Sequence, residues 1–278
     1  MEKSHHRAVV LAVTSGKGGV GKTSIALNLS VVLSQLGAHV LLIDASMGLA
    51  NVDVMLGLAP RGTLDQVVSR KQTLLDIICE GPAGLSVIPS SSGIGSPDRW
   101  ATGDITFLKR EFRRLERGFD YIIIDTASGI SPKVTDFVFT ADDALVIVTP
   151  EPTSIVDAYS MIKVIVKARE IPRQIPIIAN MVTSGHEADA LTRKLDRIVH
   201  RFLGQGVVMT GYLPTDATVG QAVYAQVPFV LGAPQSVAAQ CIERIARRLL
   251  ISYPRMRVNA QSEMLSLAQH PGKDEPHA

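Results

Sequence analysis

Cysteine is scarce: Cys79 and Cys241 are the only two in 278 residues, far apart and without metal-ligand spacing. That argues against a disulfide framework, a zinc ribbon and an iron–sulfur site supplied by one chain. Neither sign of charge dominates, since 28 Lys+Arg stand against 26 Asp+Glu for a net charge of +2. Composition therefore gives no argument for a nucleic-acid coat or a polybasic membrane binder, and direct nucleic-acid binding is not expected. Long hydrophobic runs are missing too. The apolar run at residues 8–13 ends at once in a glycine-rich loop, too short for a signal-peptide core. No stretch approaches the roughly 18 apolar residues of a spanning helix, so a cytoplasmic chain is expected. The seven histidines show no ligand spacing, and His5 and His6 need no function.

What is present is apolar content, 46% of the residues, cut into short pieces. Runs rich in β-branched residues recur at 8–13, 40–43, 121–124, 144–148 and 176–179, with further strands read at 85–89 and 207–213. Near-continuous hydrophobicity is what parallel strands show when helices cover both faces. Helical patterns lie between them at 22–36, 154–168, 188–202 and 237–251. In the second of these Ile155, Tyr159, Ile162 and Val166 form one stripe. This alternation predicts the α/β class: a single doubly wound, mostly parallel sheet with helices on both faces. Residues 1–253 read as one domain and 254–278 as a tail whose end, from Pro271, is expected to be disordered. The segment 89–103, rich in Ser, Gly and Pro, reads as a surface loop.

Gly16-Lys17-Gly18-Gly19-Val20-Gly21-Lys22-Thr23, followed by Ser24, fits the phosphate-loop spacing and sits between a strand and a helix. Glycines let backbone N–H groups curl around phosphate oxygens, and the helix start adds its positive dipole end. Lys22 is expected to reach the β- and γ-phosphates and the Thr23 hydroxyl to ligate Mg²⁺. Asp125 closes an apolar strand at the sheet's carboxyl edge, where it either holds Mg²⁺ through a water or caps the next segment of chain.

The second lysine of the loop, Lys17, makes it resemble the deviant Walker A motif of the MinD/ParA class of ATPases. That resemblance implies an ATP-sandwiched homodimer in which Lys17 reaches the partner's nucleotide. The segment Asp44-Ala45-Ser46-Met47-Gly48-Leu49-Ala50-Asn51-Val52-Asp53 is similar to switch I of the FlhG (FleN, YlxH) family, which controls flagellar number and placement. Asp125-Thr126-Ala127-Ser128-Gly129-Ile130 resembles its Walker B and switch II segment, and the run from Pro150 to Tyr159 resembles its next strand end and helix start. Asn180-Met181-Val182 and Gly211-Tyr212-Leu213-Pro214 resemble the two adenine loops. The likeness runs from about Val9 to Leu250. It implies that Asp44 is the switch I carboxylate near the metal and that Asn180, Pro214, Thr215 and Asp216 hold adenine; ordinary loop chemistry is the alternative for these four.

Ser46 departs from the family pattern, which has a second aspartate here to orient the attacking water. A serine holds a water by a weaker, uncharged contact. ATP binding and dimerisation are therefore expected to persist, with slowed hydrolysis, unless Asp53 or a partner supplies the missing group. Two alternatives to a flagellar timer ATPase stay open: an ATP-held scaffold that scarcely turns over, and a MinD-type division-site protein. The resemblance also implies flagellar partners: an FlhF-type GTPase, C-ring switch proteins or a flagellar transcription activator. Residues 1–7 match no FlhF-activating segment, so partners other than the GTPase are favoured. In the tail Ala260, Met264, Leu267 and Ala268 could form an amphipathic stripe giving weak peripheral membrane binding, or the tail docks on its own domain. Lys109, Arg110, Arg113 and Arg114, with Glu111 and Glu116 among them, read as a solvated helix face.

Overall fold

The computed structural model describes residues 5–46, 52–90, 102–168, 174–254 and 256–258. The strands are β1 (His5–Arg7), β2 (Val9–Thr14), β3 (Val40–Ala45), β4 (Cys79–Glu80), β5 (Ser86–Ile88), β6 (Tyr121–Thr126), β7 (Asp143–Val148), β8 (Ile175–Val182), β9 (Val207–Pro214) and β10 (Met256–Val258). The helices are α1 (Lys22–Gln35), α2 (Val52–Leu56), α3 (Leu64–Val68), α4 (Thr102–Leu115), α5 (Pro132–Val138), α6 (Pro152–Ala168), α7 (Gly185–Leu203), α8 (Ala217–Ala225), α9 (Phe229–Gly232) and α10 (Val237–Ser252).

Eight strands pair in the order β4-β5-β3-β6-β2-β7-β8-β9, all parallel except β4 against β5. Alternate residues of each central strand enter two separate cores, which is why the strands read as unbroken apolar runs. Val10, Ala12, Ile43, Ile122 and Val146 face a core with α4, α5, α6 and α7. Val9, Leu11, Leu42, Ile123 and Ile147 face the other, with α1, α9 and α10. Helix α1 is buried from Ile25 to Leu33 because it is enclosed between the sheet and α10. The doubly wound α/β arrangement expected from the sequence is the one found.

The chain crosses from one half of the sheet to the other around central β2, and loops at the carboxyl ends of β2, β3 and β6 open at that switch point. Ligands bind at such crevices in open α/β sheets.

Two short segments far apart in the sequence pair at the sheet's opposite edge. Strands β1 and β10 form a separate antiparallel pair, His5 opposite Val258 and Arg7 opposite Met256. Paired structure thus continues past residue 253, where the sequence suggested a tail. The Arg7 guanidinium donates to Glu116 at 2.7 Å and to Asp142 at 2.8 Å. Beside it, the Tyr253 hydroxyl donates to Asp143 and the Tyr121 hydroxyl to the Tyr253 carbonyl, each at 2.6 Å. The charged face of α4 is partly used internally: Lys109 pairs with Asp136 and Arg114 with Glu111. Residues 91–101, within the expected surface loop, and the proposed amphipathic stripe lie outside the described residues.

Candidate functional site

The loop from Gly16 to Gly21 leaves β2 and turns into α1. Gly19 and Gly21 adopt left-handed backbone, with φ of +75° and +87°, where a β-carbon is unfavourable. Close approach adds a second constraint. A β-carbon on Gly16 would stand 2.3 Å from the Asp157 carbonyl oxygen, and one on Gly21 would stand 2.4 Å from Asn180 Nδ2. Helix α1 starts at Lys22 with no side-chain cap and no acidic residue in its first turn. Its first N–H groups and positive dipole end therefore favour an anion.

Lys22 is buried, and its ammonium donates to Ser128 Oγ at 2.6 Å, Ser15 Oγ at 3.1 Å and the Lys17 carbonyl at 3.5 Å. Burial lowers its pKa, while Asp125 pulls the other way. Asp44 and Asp125 are direct partners across β3 and β6, so two carboxylates stand side by side at the sheet edge. Their environments differ. Asp44 Oδ1 accepts from the Ser46 hydroxyl at 2.5 Å and the Ser46 N–H at 2.9 Å, and Oδ2 accepts from the Val52 N–H at 3.2 Å. Both Asp125 oxygens are buried without a hydrogen-bond partner. Burial, and next the charge of Asp44, push the Asp125 carboxyl up to about 7, with the Thr23 hydroxyl and Lys22 pulling down.

One cleft of about 690 Å³ opens here, lined by Gly18, Gly19, Gly21, Lys22, Thr23 and Ser24 on one side and Ser46, Thr126 and Ser128 on the other, with Asp44 and Asp125 next to Ser46 and Thr126 in the strand ends behind it. Val54 and Met55 of α2 and Val223 of α8 complete its wall. A larger groove of about 1010 Å³ lies against α10 at the amino ends of β7 and β8. It is remote from these residues, and its arginines are engaged locally: Arg244 with Cys241, Arg247 with Glu243 and Arg248 with the Met209 and Thr210 carbonyls.

A family model described as an AAA domain matches residues 8–176. The antiactivator FleN of Pseudomonas aeruginosa is 37% identical over 272 residues, covering 96% of each chain. The flagellum site-determining protein YlxH of Helicobacter pylori is 35% identical over 190 residues, or 68% of this chain and 63% of that one. The chain belongs to the FleN/YlxH branch of the MinD/ParA-type ATPases. Among solved structures, the MinC:MinD cell division complex of Aquifex aeolicus superposes with a TM-score of 0.72 at 29% identity, over 91% of this chain and all of that one.

Within this FleN/YlxH-type fold, most of the residues singled out in the sequence come together. Gly16 to Ser24, Asp44, Ser46 and Asp125 form one constellation. Asn180 joins them from the loop side, its amide donating to the Val20 carbonyl at 2.7 Å. Pro214, Thr215 and Asp216 do not line the cleft. Thr215 bonds the Val182 carbonyl through its N–H. The Asp216 carboxylate caps α8, accepting from the Thr218 N–H at 2.9 Å, and also accepts from the Ala238 N–H in the first turn of α10 at 3.1 Å, where Ser236 is the cap. Lys17 forms an ion pair with Glu151 of its own chain. Sequence reading did not single out four contacts: Ser15 on Lys22, Ser128 on Lys22, Glu151 on Lys17, and the Asp157 backbone against Gly16. The last three carry no local sequence signal, because each arises where loops from different strands converge.

Proposed function

We propose that this chain is a MinD-like switch ATPase regulating flagellar number or placement, and that it binds ATP with Mg²⁺ at the glycine loop and closes as a homodimer on the nucleotide. One observation carries this reading: a buried ammonium, Lys22, lines the glycine cleft, and beside the cleft-lining Thr126 a buried carboxylate without a hydrogen bond, Asp125, lies close enough for the two charges to act on each other. The first suits phosphate oxygens and the second suits a hydrated cation. The full-length similarity to an antiactivator of the FleN type supports the flagellar assignment, and the MinC:MinD complex supports action through a partner protein.

In this reading, backbone N–H groups from Gly18 to Thr23 cradle the phosphates and Lys22 neutralises the β- and γ-phosphate oxygens. Thr23 ligates Mg²⁺ directly, while Asp125 and Asp44 hold its waters; the unpartnered oxygens of Asp125 fit that role. The bound cation would offset charge developing on the transferred phosphoryl group. Asn180 would meet adenine, and the loop of Pro214, Thr215 and Asp216, which does not line the cleft itself, would support that side through Thr215 on Val182 and Asp216 on α8 and α10. Lys17 would exchange Glu151 for the partner's nucleotide. Exposed Val54, Ile130 and Tyr224 on elements around the cleft supply apolar surface for that contact. Weak peripheral membrane association would come from the tail; no helix among the described residues is long and apolar enough to cross a membrane.

Ser46 limits the chemistry. Its hydroxyl donates to Asp44, and it offers no carboxylate to orient the attacking water. Losing a positioned acid/base group costs about 10²–10⁴ in rate. The test is ATP turnover for the wild type and Ser46→Asp, with molecular mass measured alongside in ATP and ADP. The expected result is an ATP-dependent dimer with slow turnover that Ser46→Asp accelerates. Equal turnover in the two proteins would remove the argument for slowed hydrolysis, and a monomer in ATP would remove the dimer. The engagement of Ser46 by Asp44 favours one second reading, an ATP-held scaffold whose release depends on a partner. It is supported if the wild type dimerises and turnover stays at background.

A further inference from the structure

Two of the three groups that receive Lys22, Ser15 Oγ and the Lys17 carbonyl, lie on the strand and loop leading to it. The third is Ser128, three residues beyond Asp125 on the segment joining β6 to α5, and its contact is the shortest at 2.6 Å. That segment is tied to the glycine loop from a second point, since the Gly129 N–H donates to the Ser15 carbonyl at 3.1 Å. A β-carbon on Gly18 would meet Ser128 Oγ at 3.7 Å, so the hydroxyl lies across the mouth of the loop. A serine hydroxyl has two lone pairs and one proton. Lys22 occupies a lone pair, which turns the O–H away from Nζ. Ser128 lines the cleft together with Lys22, Thr23 and Ser46.

Resting on the nucleotide reading above, we propose that Ser128 reads the terminal phosphate: its oxygen orients the Lys22 ammonium while its proton is donated to a γ-phosphate oxygen. A hydroxyl performs both tasks at this position, accepting from an ammonium and donating to an anion, and an alanine performs neither. ADP lacks the acceptor, so Ser128 discriminates between the two nucleotides and draws the β6–α5 segment toward ATP. Hydrogen bonds to charged groups are the stronger ones, and this one gains as charge builds on the phosphoryl oxygens.

The experiment measures ATP and ADP affinity with Mg²⁺ for the full chain, Ser128→Ala and Ser128→Thr, together with kcat and KM where turnover is measurable. Ser128 is exposed on a loop, so melting of the nucleotide-free variants should match the wild type. Ser128→Ala is expected to weaken ATP about tenfold while ADP changes less than about twofold. Ser128→Thr, which keeps the hydroxyl, should return ATP affinity to within about threefold of wild type. Equal losses for ATP and ADP, or no loss for either, would overturn the proposal while leaving the phosphate-loop reading intact. Failure of the wild type to bind either nucleotide would instead overturn the phosphate-loop reading on which it rests.

Discussion

Asp125 and Asp44 show how two like residues acquire different properties from their surroundings. The Asp44 charge is met by Ser46 and the Val52 N–H. Asp125 is wholly buried, carries no hydrogen bond of good geometry, and faces Asp44 across one strand spacing, its charge offset only in part by the Thr23 hydroxyl and Lys22. Burial and Asp44 outweigh that compensation, and a buried charge so incompletely met destabilises a fold, which a cation bound at the site would offset. Asp125→Asn keeps the shape and removes both the charge and its repulsion with Asp44. With EDTA present at pH 8, the variant should melt higher than the wild type, on the order of 2–5 °C. It should also lose Mg²⁺-dependent ATP turnover. Differential scanning calorimetry and a phosphate-release assay check the two halves. A variant that melts lower in EDTA would show that Asp125 has a structural partner.

Asp216 matters at the scale of elements, because one carboxylate caps α8 and ties it to the first turn of α10. Its hydrogen bonds to Thr218, and less strongly to Ala238, hold it below the usual carboxylate range. A carboxyl lowered on folding adds stability above its unfolded pKa and loses it as pH falls through the lower folded value. Asp216→Ala should therefore cost about 1 kcal/mol at pH 7. The gap should narrow below about pH 3, as urea unfolding at the two pH values would reveal. Elements differ in how plainly the sequence announces them. The central strands are legible because both faces are buried, yet the readings at 40–43 and 121–124 stop short of Asp44 and Asp125. Strand pairing runs through those carboxylates, since ladder hydrogen bonds belong to the backbone and are indifferent to polarity at the sheet edge. The β1–β10 pair is invisible in the sequence for another reason: two three-residue strands carry no periodicity, and only their tertiary proximity joins them. The glycine loop is fully legible because its spacing is local, whereas Ser128 and Glu151 reach the site from separate strand ends.

At the scale of the whole molecule, the position of Lys17 decides what a second subunit would contribute in the proposed dimer. Its ammonium lies at the rim of the cleft, paired with a Glu151 side chain that is 60% exposed. An exposed ion pair contributes little to stability, so exchanging Glu151 for a triphosphate of much higher charge is favourable. Lys22, by contrast, is enclosed by Ser15, Ser128 and the Lys17 carbonyl and cannot leave its own loop. The two lysines of one motif are therefore separable by oligomeric state. Lys17→Ala should retain ATP affinity in dilute, monomeric protein to within about threefold, yet shift ATP-dependent dimerisation to concentrations at least about tenfold higher. Added salt should weaken the wild-type dimer more than the variant's, because the lost contact is charge on charge across an interface. Lys22→Ala should abolish binding and dimerisation together. Sedimentation velocity beside a nucleotide titration tells these outcomes apart: if Lys17→Ala weakens monomeric ATP binding as much as it weakens the dimer, Lys17 serves its own nucleotide and the partner subunit contributes no charge to the site.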